Sequence, residues 1–144
     1  MIIFSFSSPI NFYFHSMLKY FLCWFPMLII AVLNGTARDL LYKKYTGELP
    51  GHQISTISLL ILFSFYIAFI IEKLPPNSER QAMSVGMLWL LLTLIFEFCF
   101  GLIRGNSLTS LWSDYNIFKG RIWILILIWT TIAPYLFFKM TTSK

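Results

Sequence analysis

Four long apolar runs limit what this chain can fold into. They cover about residues 18–33, 54–71, 82–103 and 122–138. Each approaches the roughly 20 apolar residues that a helix needs to cross a bilayer. Only helices and closed barrels satisfy their backbone hydrogen bonds without water. The runs therefore predict an all-α membrane protein, a four-transmembrane-helix bundle with a short interfacial segment before the last helix.

The composition supports a membrane protein and argues against a nucleic-acid-binding protein. The chain is 58% hydrophobic and only 12% charged, whereas soluble domains have about 25% charged residues. Its 144 residues are too few to hide so much apolar surface in a globule. The net charge is +5, but the cations flank apolar runs singly or in pairs. That distribution is typical of anchors at lipid headgroups and lacks the basic stripe of a nucleic-acid-binding surface.

Residues 1–16, MIIFSFSSPINFYFHS, form an N-terminal extension that we predict to be dispensable and not native. The segment lacks the basic start and the cleavage site of a signal peptide. Met17 begins MLKYFLCWFPMLII, which has the character of a natural start, so residues 17–144 would form the single transmembrane domain. The alternative is a short interfacial segment. Finding Met1 or Ile2 in the mass spectrum of the native N-terminus would contradict the prediction.

Turn signals separate the runs, but the flanking cations leave the orientation open. Pro75-Pro76-Asn77 and Pro50-Gly51 predict turns before the third and second spans. Five Lys and Arg residues lie on the side of the N-terminus, the second loop and the C-terminus, and six lie on the side of the first and third loops. This balance does not select one orientation under the positive-inside rule. It is compatible with an antiparallel homodimer.

One acid, Glu97, lies within the apolar run LLLTLIFEFCFGLIRG. Helix rise places it about 10 Å inside the end marked by Arg104, near the side of the third loop. A charge deep in lipid costs at least about 2.5–3.5 kcal/mol, so we expect a partner, either Arg38 or Arg121. Such a pair could only fix the helix register, or it could line a polar cavity. The residues favour neither alternative.

Helical spacing predicts which face of each span points inward. Small residues allow close helix packing in lipid, and the third span carries a small, polar stripe at spacings of three and four: Ala82, Gly86, Leu90, Thr93, Glu97, Gly101 and Arg104. Similar stripes are Ala31, Asn34 and Arg38 on the first span, and Arg121, Leu125, Ile128, Thr131 and Tyr135 on the fourth.

These stripes and the adjoining loops predict one candidate polar cluster at the end of the bundle that carries the first and third loops. Asp114 is also a candidate cap of the helix that leads into the fourth span. The cluster comprises Asn34, Arg38, Asp39, Glu97, Asp114, Tyr115, Asn116 and Arg121.

The chain carries no recognisable motif for a metal, a cofactor or catalysis. Cys23 and Cys99 lie in different apolar runs, so inert packing is the expectation for both thiols. His52 is a lone histidine in a loop end, and metal sites need several ligands in a set geometry. There is no phosphate-binding glycine loop, no zincin-type histidine pair and no GxSxG sequence. We therefore expect no catalytic residue, no metal site and no cofactor.

The motifs LNGTARD, FEFCFG and DYNIFKGRIW resemble the pattern of a family of small bacterial multi-span membrane proteins whose activity is uncharacterised. That pattern is N-G-x-x-R-[DE], then F-E-F-x-x-G, then D-Y-[ND]-x-x-x-G-R-[IL]-W. The resemblance covers roughly residues 17–138 and implies a location in the bacterial cytoplasmic (inner) membrane. It implies no activity.

Three functions remain as hypotheses. The first is transport or permeation of an ion, a proton or a small polar solute through the cluster centred on Glu97. The second is a structural or accessory subunit whose Glu–Arg cluster only holds the bundle together. The third is a membrane enzyme that acts on a lipid-soluble substrate. Membrane lipids are the expected surroundings, and a second copy of the chain or another membrane protein is a candidate partner.

Overall fold

The computed structural model describes residues 9–113, 116 and 122–143. This part of the chain is all-α and contains no strand. Its helices are α1 (Pro9–Ala37), α2 (Lys43–Thr46), α3 (Glu48–Lys73), α4 (Glu79–Ile103), α5 (Leu108–Ser113) and α6 (Ile124–Thr142), and a π-helical turn (Arg38–Tyr42) joins α1 to α2.

Four of these helical stretches are long and apolar enough to cross a membrane. They are Phe14–Thr46, Glu48–Lys73, Glu79–Ile103 and Ile124–Thr142. The chain is therefore a multi-pass integral membrane protein with a four-helix bundle, as the apolar runs predict. Phe65, Ile95 and Ile103 are 75%, 60% and 83% exposed. Such large apolar side chains on the outer faces suit a helix bundle whose solvent is lipid.

Two connections between the helices are short and have clear physical causes. Gly47 has φ +90°, a conformation that glycine adopts readily, and it ends α2 and starts α3. The turn predicted at Pro50-Gly51 is therefore wrong by a few residues. Pro50 lies in the first turn of α3, where a missing N–H costs nothing. The turn predicted at Pro75-Pro76-Asn77 is confirmed, and Ser78 follows it as the N-cap of α4 by accepting a bond from the Gln81 N–H.

Large apolar side chains fill the centre of the bundle. Seven of them are at most 1% exposed: Met27, Leu59, Ile67, Ile71, Val85, Trp89 and Ile126. Two polar side chains of the core are bonded across helices, which offsets the cost of removing them from water. The Trp89 indole N–H donates to the Tyr20 carbonyl at 2.8 Å, and the Tyr66 hydroxyl donates to the Cys23 carbonyl at 2.8 Å.

Helix α4 approaches α6 most closely at Gly86. A methyl group on Gly86 would overlap the backbone carbonyl of Thr131. Ala82 and Gly101 are also buried, and the Leu111 side chain of α5 packs over Gly101. These contacts confirm that the small residues of the third span face inward.

The predicted faces need two corrections. Val85 and Trp89, which lie beside the small stripe, are fully buried as well. The neighbouring helices leave room for the Trp89 ring, and its N–H bonds to the Tyr20 carbonyl. On α6, Leu125 and Ile128 are 40% and 46% exposed and do not face the bundle. The apolar residues of α6 surround the helix almost evenly, so the sequence does not show which of them α3 and α4 cover. The fully or nearly fully buried positions of α6 are Ile126, Leu127, Thr130, Ala133, Pro134 and Phe138.

The close approach of α4 and α6 gives a stability prediction. Gly86→Ala should lower the free energy of unfolding by about 1–3 kcal/mol, because the added carbon meets backbone atoms that cannot rotate away. Gly35→Ala is the matched control, since a Cβ on Gly35 meets nothing within 4 Å. It should leave stability unchanged or raise it by about 0.4–1 kcal/mol. Thermal unfolding in detergent micelles measures both, and equal effects would contradict the packing.

Candidate functional site

Glu97 lies near the end of α4 and is half-buried. The Trp123 indole N–H donates to its Oε1 at 2.9 Å. Trp123 directly precedes α6, so this bond joins the ends of α4 and α6. Because the indole is rigid, this bond constrains the position of Oε1.

A cavity of about 260 Å³ lies beside the carboxylate. Polar side chains from several elements line it. Arg38 comes from the π-helical turn, His52 from α3 and Glu97 from α4. Arg104 and Asn106 come from the loop after α4, and Trp123 directly precedes α6. Apolar side chains of α4 and α5 complete the walls. The lining residues are Arg38, His52, Phe96, Glu97, Phe98, Phe100, Gly101, Arg104, Asn106, Leu111 and Trp123.

A second cavity of about 390 Å³ adjoins the first and carries mostly charged side chains. It is lined by Arg38, Asp39, Lys43, Glu48, His52, Arg104 and Asn106. Arg38, His52, Arg104 and Asn106 line both cavities, so the two spaces lie side by side. We call them together the vestibule. It runs from the helix ends at the first and third loops to Glu97.

Other residues of the vestibule compensate its cations. Arg38 makes its ion pair with Asp39, and the Nε–Oδ1 and Nη2–Oδ2 distances are 2.9 and 3.3 Å. This two-bond geometry suits a planar guanidinium. The Arg104 guanidinium lies over the Phe100 ring at 5.6 Å, within the range of a cation–π contact. Arg38 thus shares a cavity with Glu97, while its ion pair within the described residues is with Asp39.

Two further members of the predicted cluster have other roles. Asn34 donates to the Ser55 carbonyl and hydroxyl at 2.8 Å, and its Oδ1 accepts a bond from Ser58. It therefore ties α1 to α3 and does not line the vestibule. The Asn116 side chain is half-buried, and its amide oxygen has no partner among the described residues. Asp114, Tyr115 and Arg121 lie outside the described residues, as does the predicted Asp114 cap.

The structure adds residues that the sequence did not place in the cluster. His52 follows Pro50-Gly51 and belongs to the first turns of α3, from which it reaches both cavities. Its ring meets Trp123 edge to face at 5.9 Å. Trp123 is not among the predicted cluster residues, whereas in the structure it is the hydrogen-bond donor to Glu97. In the sequence, Trp123 is the last residue of the motif DYNIFKGRIW and lies at the start of the last apolar run, but neither position indicates a bond to Glu97.

A smaller apolar pocket of about 150 Å³ also borders Glu97. It shares Phe96, Glu97 and Trp123 with the vestibule. Glu97 therefore stands at the boundary between a polar space and an apolar one.

No protein-family profile, curated protein or solved structure matches the chain significantly. The described residues also include no group of three or more His, Cys, Asp or Glu side chains that could hold a metal ion. What the described part of the site can offer a ligand is charge, hydrogen bonding and aromatic surface.

The Trp123–Glu97 hydrogen bond gives the second prediction. Trp123→Phe should lower the free energy of unfolding by about 1–3 kcal/mol, since a half-buried carboxylate loses a donor. Trp129→Phe is the matched control, because the buried Trp129 N–H has no hydrogen-bond partner in the part of the chain that the structure describes. That variant should be as stable as the wild type or more so. Thermal unfolding of both variants in the same detergent measures the difference. Equal stability of the two variants would contradict the assigned bond.

Proposed function

We propose that the protein transports an ion, a proton or a small polar solute across a bacterial cytoplasmic membrane, with Glu97 as the binding group. The observation that carries the proposal is the vestibule, which leads from one end of the bundle to this carboxylate. Ionisable groups at membrane depth are functional candidates because their desolvation is costly. A polar cavity beside such a group gives a solute access to it.

Among the described residues, the vestibule reaches Glu97 from the end of the bundle that carries the first and third loops. Beyond the carboxylate and the small apolar pocket beside it, the bundle is filled by Ile67, Val85 and Trp89, all fully buried. A solute that binds at Glu97 would therefore need a second arrangement of the helices to leave on the other side. One-sided access to a site between helices is what carriers show in each of their states. A carrier consequently suits the filled core better than an open channel does.

The alternative function is an accessory subunit, and one observation favours it. The Trp123–Glu97 bond joins α4 to α6, so the carboxylate also has a structural role. A hydrogen bond that only joins two helices does not require a cavity beside it, however. A buried polar tie could be replaced by apolar packing at little cost in stability. The cavity is thus the feature that transport accounts for and a purely structural role does not.

Flux through liposomes tests the proposal. Wild-type protein should dissipate a gradient of protons, small cations or polar solutes, and Glu97→Gln should reduce that flux to the level of protein-free liposomes. Removal of the charge leaves the shape of the side chain intact, so the loss would reflect its chemistry. Glu72→Gln is the control, because Glu72 is exposed near the opposite end of the bundle and its loss should not alter flux.

Two results would contradict transport. Equal flux for wild type and a folded Glu97→Gln variant would remove Glu97 from the path. An absence of flux in every protein, together with a clear loss of thermal stability in Glu97→Gln alone, would favour the accessory subunit.

A further inference from the structure

The apolar pocket beside Glu97 has an unusual lining for a space in a membrane protein. It lies between α1, α3, α4 and the start of α6, and four aromatic side chains contribute to it: Trp24, Phe63, Phe96 and Trp123. Glu97 is the one charged residue among the described residues of its lining. Aliphatic side chains and Thr93 form the remainder.

This combination of groups is selective for one kind of charge. The faces of aromatic rings carry negative potential and attract cations, and aromatic cages bind quaternary ammonium groups. The carboxylate adds a full negative charge, whose effect is strong where the dielectric constant is low. A small metal cation would lose its hydration shell in such a pocket at a high cost. An organic cation with apolar substituents loses much less.

We infer that the pocket binds a hydrophobic organic cation, with its apolar groups among the aromatic rings and its charged centre at Glu97. The inference rests on the proposed function, because it names the class of substrate that this carboxylate would bind. It also uses the position of Glu97 at the wall of both spaces, where a ligand can contact the rings and the vestibule at once.

One wall of the pocket lies close to the lipid-facing surface of the bundle. Val32 lines it and is 48% exposed on the outer face of α1, so the wall at this point borders hydrocarbon. A hydrophobic cation that partitions into the membrane could enter there. The vestibule, which also borders Glu97, offers a separate path to water.

The described arginines of the site, Arg38 and Arg104, line the vestibule and not the pocket. Asp39 is bonded to Arg38, which offsets the repulsion that the guanidinium would exert on a bound cation.

Binding of a matched pair of ligands tests the inference. Phenyltrimethylammonium is a small hydrophobic cation, and tert-butylbenzene has the same shape with carbon in place of the charged nitrogen. Isothermal titration calorimetry in a neutral detergent, with protein-free micelles subtracted, should show saturable binding of the cation. The neutral compound should bind much more weakly or only as it partitions into micelles.

Variants identify the groups that bind. Glu97→Gln should weaken binding of the cation by about tenfold or more, and Glu97→Asp, which keeps the charge, should retain most of it. Phe96→Leu removes an aromatic face and should weaken binding about two- to fivefold. Phe65→Leu is its control, because Phe65 is 75% exposed on the lipid side of α3, and it should bind as the wild type does. Thermal unfolding verifies that each variant is folded.

The outcomes separate this inference from the proposed function. No saturable binding of the cation, or equal binding of the cation and its neutral counterpart, would overturn the inference even if flux depends on Glu97. Equal weakening by Phe96→Leu and Phe65→Leu would overturn it as well. Binding that needs both Glu97 and Phe96 supports it, even if no flux is found and the proposed transport fails.

Discussion

A carboxylate that lies among hydrocarbon has to be solvated by the protein itself, and this constraint organises one end of the bundle. The Glu97 side chain would be costly to hold in lipid without polar neighbours. The structure supplies an indole donor at 2.9 Å and a vestibule lined by charged and polar side chains. Groups in this environment come from the π-helical turn after α1, the first turns of α3 and the residue before α6.

The helix packing that creates the site depends on small residues. Gly86 lets the backbones of α4 and α6 approach closely, and Gly101 makes room for Leu111 of α5. With the helices held in this way, Trp123 at the start of α6 comes within hydrogen-bond distance of Glu97. Packing in the middle of the bundle thereby determines the geometry at its end, because rigid helices carry a displacement along their length.

Much of the fold follows from the sequence, because the membrane imposes strict rules. Apolar runs long enough to cross a bilayer predict the four spans, and the small stripe containing Gly86 and Gly101 predicts the inward side of α4. The face of α6 could not be predicted in the same way. Its apolar residues surround the helix almost evenly, so Leu125 and Ile126 are indistinguishable until a partner helix covers one of them.

The site was less predictable than the fold, since it depends on contacts between distant segments. Glu97 was recognisable because an acid is rare in such a run, and Arg38 was recognisable from its place at a helix end. His52 and Trp123 could not be assigned, because their roles depend on how α3 and α6 are placed against α4. The sequence also does not show whether Arg38 pairs with its neighbour Asp39 or with Glu97, because residue spacing allows both.

Access of water to position 97 is the central claim, and thiol labelling tests it most directly. In a background of Cys23→Ala and Cys99→Ala, Glu97→Cys would be treated with a membrane-impermeant thiol reagent in vesicles of both orientations. Thr130→Cys serves as the reference, because Thr130 is fully buried. The account predicts labelling at position 97 only from the face that carries the first and third loops, and none at position 130. A thiol at position 97 that reacts from neither face, or only from the opposite face, would contradict it.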